Sequence, residues 1–150
     1  MTIRASTGLA NAMLGTVGLQ GALADGVLRI YSGAQPASAD AAATGTLLIE
    51  VTLNGGAVVH GSPTNGLNWD TPVSRTISKP GADTWRGNGI ADGVCGWARY
   101  CANPVDDGNA STSLARIDMS VGKTTGDLQL STVNAVVGQP ITIDAATLTL

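Results

Sequence analysis

The chain has 150 residues, the length of one ordinary domain, and a net charge of −3 from eleven acidic and eight basic side chains. The basic residues are scattered, which argues against direct nucleic-acid binding, because phosphate neutralisation needs clustered positive charge. No apolar run is long enough for a membrane helix, and the N-terminus MTIRASTGLANAML, with one Arg and no long apolar segment, does not read as a signal peptide.

Residues 1–26 read as an N-terminal helical arm. Over Ser6–Ala24, Leu9, Ala12, Met13 and Val17 fall at helical spacing, and Ser6 or Thr7 can cap a short helix over Thr7–Leu14. Gly15, Gly18 and Gly21 weaken any continuation, leaving one more turn near Leu19–Leu23 before Asp25-Gly26 ends the helical region. Residues 27–150 read as a single β domain. Val27–Tyr31 and Leu47–Leu53 alternate with period two: Leu28 and Ile30 on one face against Arg29 and Tyr31, then Leu47, Ile49, Val51 and Leu53 against Glu50 and Thr52. Between them Gln35–Gly45 is almost entirely Ala, Ser, Pro, Asp, Thr and Gly, a segment that buries little and can lie along another surface.

The part near 56–89 is irregular, and Pro63, Pro72 and Pro80 speak against central strands there. Further strands are expected at Val94–Cys101, Ala115–Val121, Asp127–Ser131 and Ile141–Leu150. The last changes phase between Ile143 and Leu148, which requires a bulge at Asp144–Ala146. Six Asn-Gly or Asp-Gly dipeptides punctuate the chain, and such pairs tolerate the positive φ of tight turns. The expected class is all-β, a β-sandwich or jelly-roll-like barrel with a short N-terminal helix.

Chemistry is sparse. His60 is the sole histidine, and no Gly-x-Ser-x-Gly elbow frames a serine, so a structural histidine is the better reading than a catalytic one. Cys95 and Cys101 lie on one strand reading, on one face and about 20 Å apart, too far for a disulfide, whose Cα atoms lie within about 7 Å. They read as buried free thiols unless the chain folds back at Gly96. NPVDDGN offers Asn103, Asp106, Asp107 and Asn109 as oxygen ligands for Ca²⁺, at a spacing unlike an EF-hand, and a plain polar loop is the stronger reading. No phosphate-cradling or dinucleotide glycine motif occurs. These patterns give no catalytic, cofactor or metal residues. The contact candidates are Leu9 and Met13 on the helix, Gln35, Pro36 and Asp40 in the small-residue segment, and Trp69 and Trp85 in the irregular middle. The two tryptophans serve protein contact or packing, or less readily a sugar.

TGLANAML, GVLRIYSGAQPASADAAATGTLL, DGVCGWARYCAN, ARIDMSVG, DLQLS and GQPITIDAATLTL occur in this order. Together they resemble a family of small virion proteins of tailed bacteriophages encoded among head genes, over nearly the whole chain and less so over 56–89. The resemblance implies a virion structural protein, specifically a capsid decoration or cement protein on the outer head surface, assembled in the host cytoplasm. Its expected partners are the major capsid protein and other copies of itself, as a trimer. It implies no enzyme activity and no cofactor. Tail, fibre or connector roles are the first alternative, and a carbohydrate-binding module is the second.

Overall fold

In the computed structural model, which describes residues 3–149, the chain is all-β apart from two short helices. In chain order the elements are β1 (Arg4–Ala5), α1 (Thr7–Leu14), α2 (Leu19–Ala22), β2 (Val27–Ser32), β3 (Leu47–Leu53), β4 (Thr76–Ser78), β5 (Trp85–Asn88), β6 (Gly93–Cys101), β7 (Arg116–Gly122), β8 (Leu128–Leu130), β9 (Asn134–Ala135) and β10 (Pro140–Thr149). Seven strands run β7-β8-β10-β5-β3-β2-β6, and pairing of β6 with β7 closes them into a barrel; β1, β4 and β9 are short additions to β7, β10 and β6. Closure removes the long free edges that are the liability of open sheets.

Alternation sets the interior. Leu28 faces Val51 and Tyr100 across its two neighbouring strands, Ile30 faces Ile49 and Ala98, and Tyr100 in turn faces Ile117. All of these are buried. Every barrel pairing is antiparallel except β7 with β8. That parallel step follows a very short connection, pinned where Asp127 accepts from both the amide and the hydroxyl of Ser120 and returns its own amide to that hydroxyl.

Helix α1 forms where expected. Ser6 caps it, its hydroxyl accepting from the Leu9 amide, and Leu9 is driven fully into the core. The two helices lie across the barrel end where β2 starts and β6 and β10 finish. There the Tyr100 hydroxyl reaches the Leu23 and Leu67 carbonyls, and Gln20 donates to the Trp69 carbonyl. The expected bulge in the last strand is present, as a register shift between Ile143 and Ala145. Positive φ occurs in four of the six Asx-Gly dipeptides, at Asp25, at Asn54 and Gly55, at Asn65 and at Gly108.

Two expectations are corrected. The middle does contain a central strand: β5 pairs with both β3 and β10. It lies beyond Pro80, so no proline interrupts it, and it alternates Trp85 and Gly87 inward with Arg86 and Asn88 outward. Cys95 and Cys101 do not share a face. A register shift lets Trp97 pair with Tyr31 and Cys95 with Ser32, so Gly96 is the extra residue and Cys95 turns into the core. Gly96 is required there, since a Cβ would sit 2.0 Å from the Gly33 carbonyl oxygen. Both cysteines are buried and free.

Candidate functional site

The outward face of β2, β6 and β7 carries charge, as alternation dictates: Arg29 on β2, Arg99 on β6, Arg116 and Asp118 on β7, with Glu50 on β3 beside them. Solvent does not reach most of it. Arg99, Arg116 and Asp118 are each 0% exposed. The cover is a strap formed by the small-residue segment 33–46, together with the loop 103–113.

The strap has no large apolar side chain to offer and binds through its backbone. Arg99 makes a bidentate pair with Asp118, at 2.6 and 2.9 Å, and turns its remaining terminal nitrogen to the Ala41 carbonyl. Arg116 pairs with both oxygens of Asp106 at 2.6 Å and also donates to the Ala39 and Asn109 carbonyls. Arg29 bridges Glu50 and the Asp106 carbonyl. Arg4 donates to the Pro36 carbonyl, and the Trp97 indole to that of Thr44. Tyr31 stacks on Trp97 at 4.7 Å, and the Arg99 guanidinium lies 5.3 Å from the Trp97 ring centroid. Burying an ion is tolerable only when it is paired and its remaining donors are satisfied, and this layer meets both conditions.

Electrostatics reflect that packing. Burial works to raise the Asp106 pKa, but the Arg116 hydrogen bonds and the Gly108 amide outweigh it, and the carboxyl is held below its ordinary range. Asp40 is lowered chiefly by the hydroxyl and amide of Thr7, a tie that joins the strap to the start of α1. Burial pushes the Cys101 thiol up to about 12, with Asp106 adding to the rise, and the Cys95 thiol up to about 11.

The contact candidates therefore separate. Gln35, Pro36 and Asp40 lie together on the strap; Pro36 is buried while Gln35 and Asp40 are half-buried. Leu9 and Met13 meet at a groove beside α1, where Met13 is half-buried but Leu9 is wholly internal. Trp69 and Trp85 are 3% and 0% exposed, packed edge to face at 5.2 Å inside the barrel. Leu9, Trp69 and Trp85 are thus core residues rather than surface anchors, and neither tryptophan ring offers a platform to a sugar. The carboxylates proposed for Ca²⁺ are committed elsewhere: Asp106 to Arg116, and Asp107 to the amide and side chain of Asn109. Asn103 ties the 60–62 turn to the start of β2, its carbonyl meeting the His60 ring and its side-chain amide reaching the Asp25 and Ser62 carbonyls. Among the described residues no group of three or more His, Cys, Asp or Glu could hold a metal, and no helix is long and apolar enough to cross a membrane.

Among exposed charges such as Arg86, Asp92 and Lys123, the barrel also leaves large aliphatic side chains in solvent. Leu14 is 87% exposed at the end of α1, and Val17, Val73, Val94 and Val105 are also in solvent. Beside Leu14 an apolar groove of about 400 Å³ runs between α1 and the barrel, lined by Ile3, Met13, Leu19, Ile117 and Leu148. Period-two reasoning could not find this groove, because it arises where a helix meets the end of the barrel. No family model matches the chain, and no curated protein or solved structure matches it.

Proposed function

We propose that this chain is a structural protein of a tailed-phage virion that decorates the outer head shell and stabilises it by bridging capsid subunits, with copies of itself arranged as a trimer. The observation that carries the reading is the set of large aliphatic side chains left in solvent while some charges are buried. Arginine and aspartate pairs are sealed beneath the strap, while leucine and valine stand in solvent. Aliphatic side chains left in water lose their hydration cost when another protein covers them, so such a surface favours contact over catalysis. The segments that resemble small head proteins fall on α1, on β2 with the strap and β3, and on β6, β7, β8 and β10, so the similarity runs through the scaffold rather than through one loop. The acidic net charge suits the outside of a head better than its DNA-facing side.

The test is location. An antibody against the chain, applied to particles purified from the genome that encodes it, should label heads. Label confined to tails would move the protein to a tail or connector role, and unlabelled particles would overturn a virion role altogether.

A further inference from the structure

The two ends of the barrel carry different apolar shapes. At the end where β2 begins and β10 finishes, the groove beside α1 adjoins a second hollow of about 440 Å³ that shares Leu19 and Leu148 with it. Each hollow is within the size range of pockets that enclose a small molecule, so each has room for several aliphatic side chains. At the opposite end, where β6 begins and β10 starts, segments 89–94 and 133–138 are tied together. Gly93 pairs with Ala135, the Gly138 amide donates to the Gly89 carbonyl, and the Asp92 carboxylate accepts the Val137 amide. The result is a knob on which Ile90, Val94, Val136 and Val137 are 49–61% exposed.

Charge distinguishes the two ends as well. Among the described residues, Arg75 is the one charged residue lining either hollow. Asp92 is the one charged residue in the two knob segments. A concave apolar surface with a lone cation and a convex apolar surface with a lone anion, at opposite poles of one barrel, are complementary between copies and cannot meet within one.

We infer that copies of this chain associate head to tail, the Ile90–Val94–Val136–Val137 knob of one copy seated in the α1–α2 groove of the next, with Asp92 facing Arg75. Such a contact is heterologous: every copy uses one surface of each kind, so the assembly closes into a ring when the rotation permits and otherwise extends. The contact does not depend on where in a virion the protein resides.

Two variants on exposed side chains separate this arrangement from any self-complementary one. Leu14→Glu places a charge at the rim of the groove and of the same sign as Asp92. Val94→Lys places a charge on the knob and of the same sign as Arg75. Thermal melts close to the parent's establish that both fold. In sedimentation velocity at tens of micromolar the parent should associate, and each variant alone should do so at least about tenfold more weakly, as expected when a charge replaces an apolar contact and meets a like charge across the interface. Mixed in equal amounts, the variants should recover association as pairs, since the Leu14→Glu copy keeps a sound knob and the Val94→Lys copy a sound groove. A monomeric parent overturns the inference. So does a single variant that associates like the parent, or a mixture that remains as monomeric as its components.

Discussion

Removing Asp118 should expose what the charged layer contributes to the fold. Asp118 and Arg99 are wholly buried, and the guanidinium spends two of its nitrogens on the carboxylate and one on the Ala41 carbonyl. Asp118→Ala leaves a buried cation with that single carbonyl. Breaking a buried pair from one side costs about 3–5 kcal/mol, because the surviving charge is uncompensated. Against a total stability of about 5–15 kcal/mol for a domain, this is a large share. For a chain of this size each kcal/mol shifts Tm by roughly 2–4 °C, so the midpoint should fall by roughly 6–20 °C. The double variant Arg99→Met, Asp118→Leu removes both charges and should recover most of the loss, since an apolar pair of similar volume is often no worse than the ion pair. Urea unfolding of the parent, the single and the double variant measures all three. Amide exchange at Ala41 and Ala43 reports whether the strap lifts in the single variant. A loss below about 1 kcal/mol for Asp118→Ala, in the range of an exposed pair, would refute the claim that the strap seals this layer from water.

The same structure sets three further outcomes. The Asp40 and Asp106 carboxyls are held below their ordinary values, so each contributes stability that is fully present above the unfolded pKa and is lost as pH falls through the folded one; melting temperature should be level from neutral pH to about 5 and decline below about 4, and Asp40→Asn should flatten part of that decline. Cys95 and Cys101, with thiols raised to about 11 and about 12, should resist a disulfide reagent at pH 8 until denaturant is added, and rapid reaction of the native protein would contradict their burial. Trp85→Ala should cost about 3–5 kcal/mol by cavity formation, whereas a neutral result in urea unfolding would place that ring at the surface after all.

Alternation made the faces of β2 and β7 readable, and the phase change in β10 announced its bulge. Register shifts beside Tyr31 and Ser32, however, turn Leu48 rather than Leu47 of β3 into the core and move Cys95 of β6 off the face of Cys101. The same logic missed β5. Gly87 faces inward there by alternation with Trp85 and must be glycine because a Cβ would stand 2.0 Å from the Glu50 carbonyl oxygen, so that interior position is filled by neighbouring backbone and leaves no apolar mark in the sequence. Trp69 and Trp85 read as surface residues because their neighbours are polar, yet each is carried inward by a single alternating position. Alternation with Ile117 and Met119 puts Arg116 and Asp118 on the outward face of β7. It could not show that a second layer covers that face, because the covering segment contributes carbonyl oxygens, and a carbonyl is present at every residue whatever its side chain. The strap reads in sequence as a segment that buries little and can lie along another surface, and that surface is the barrel's own arginine-bearing face. The closure of the sheet, which decides between sandwich and barrel, rests on the β6–β7 pairing and has no local signature.

Backbone attachment also shapes what the strap can present. Its path is fixed by Arg4, Arg99, Arg116 and Trp97, residues of the barrel and of β1, acting on the carbonyls of Pro36, Ala41, Ala39 and Thr44. Of its side chains only Pro36 and Ala39 are buried, while Ala34, Ala37, Ser38, Ala42 and Thr44 face outward. The Ser38 and Thr44 hydroxyls bond to the strap's own backbone, which stiffens it further. Small side chains lose little rotamer freedom when covered, and a backbone already ordered loses little more. A flat surface of alanine, serine and threonine on a fixed backbone therefore costs little to bury against a broad partner, even though it supplies no large anchor. The aliphatic ends of the barrel supply such anchors instead. Under the proposed head role and the inferred head-to-tail contact, the ends would join copies to one another and the strap face would lie on the shell.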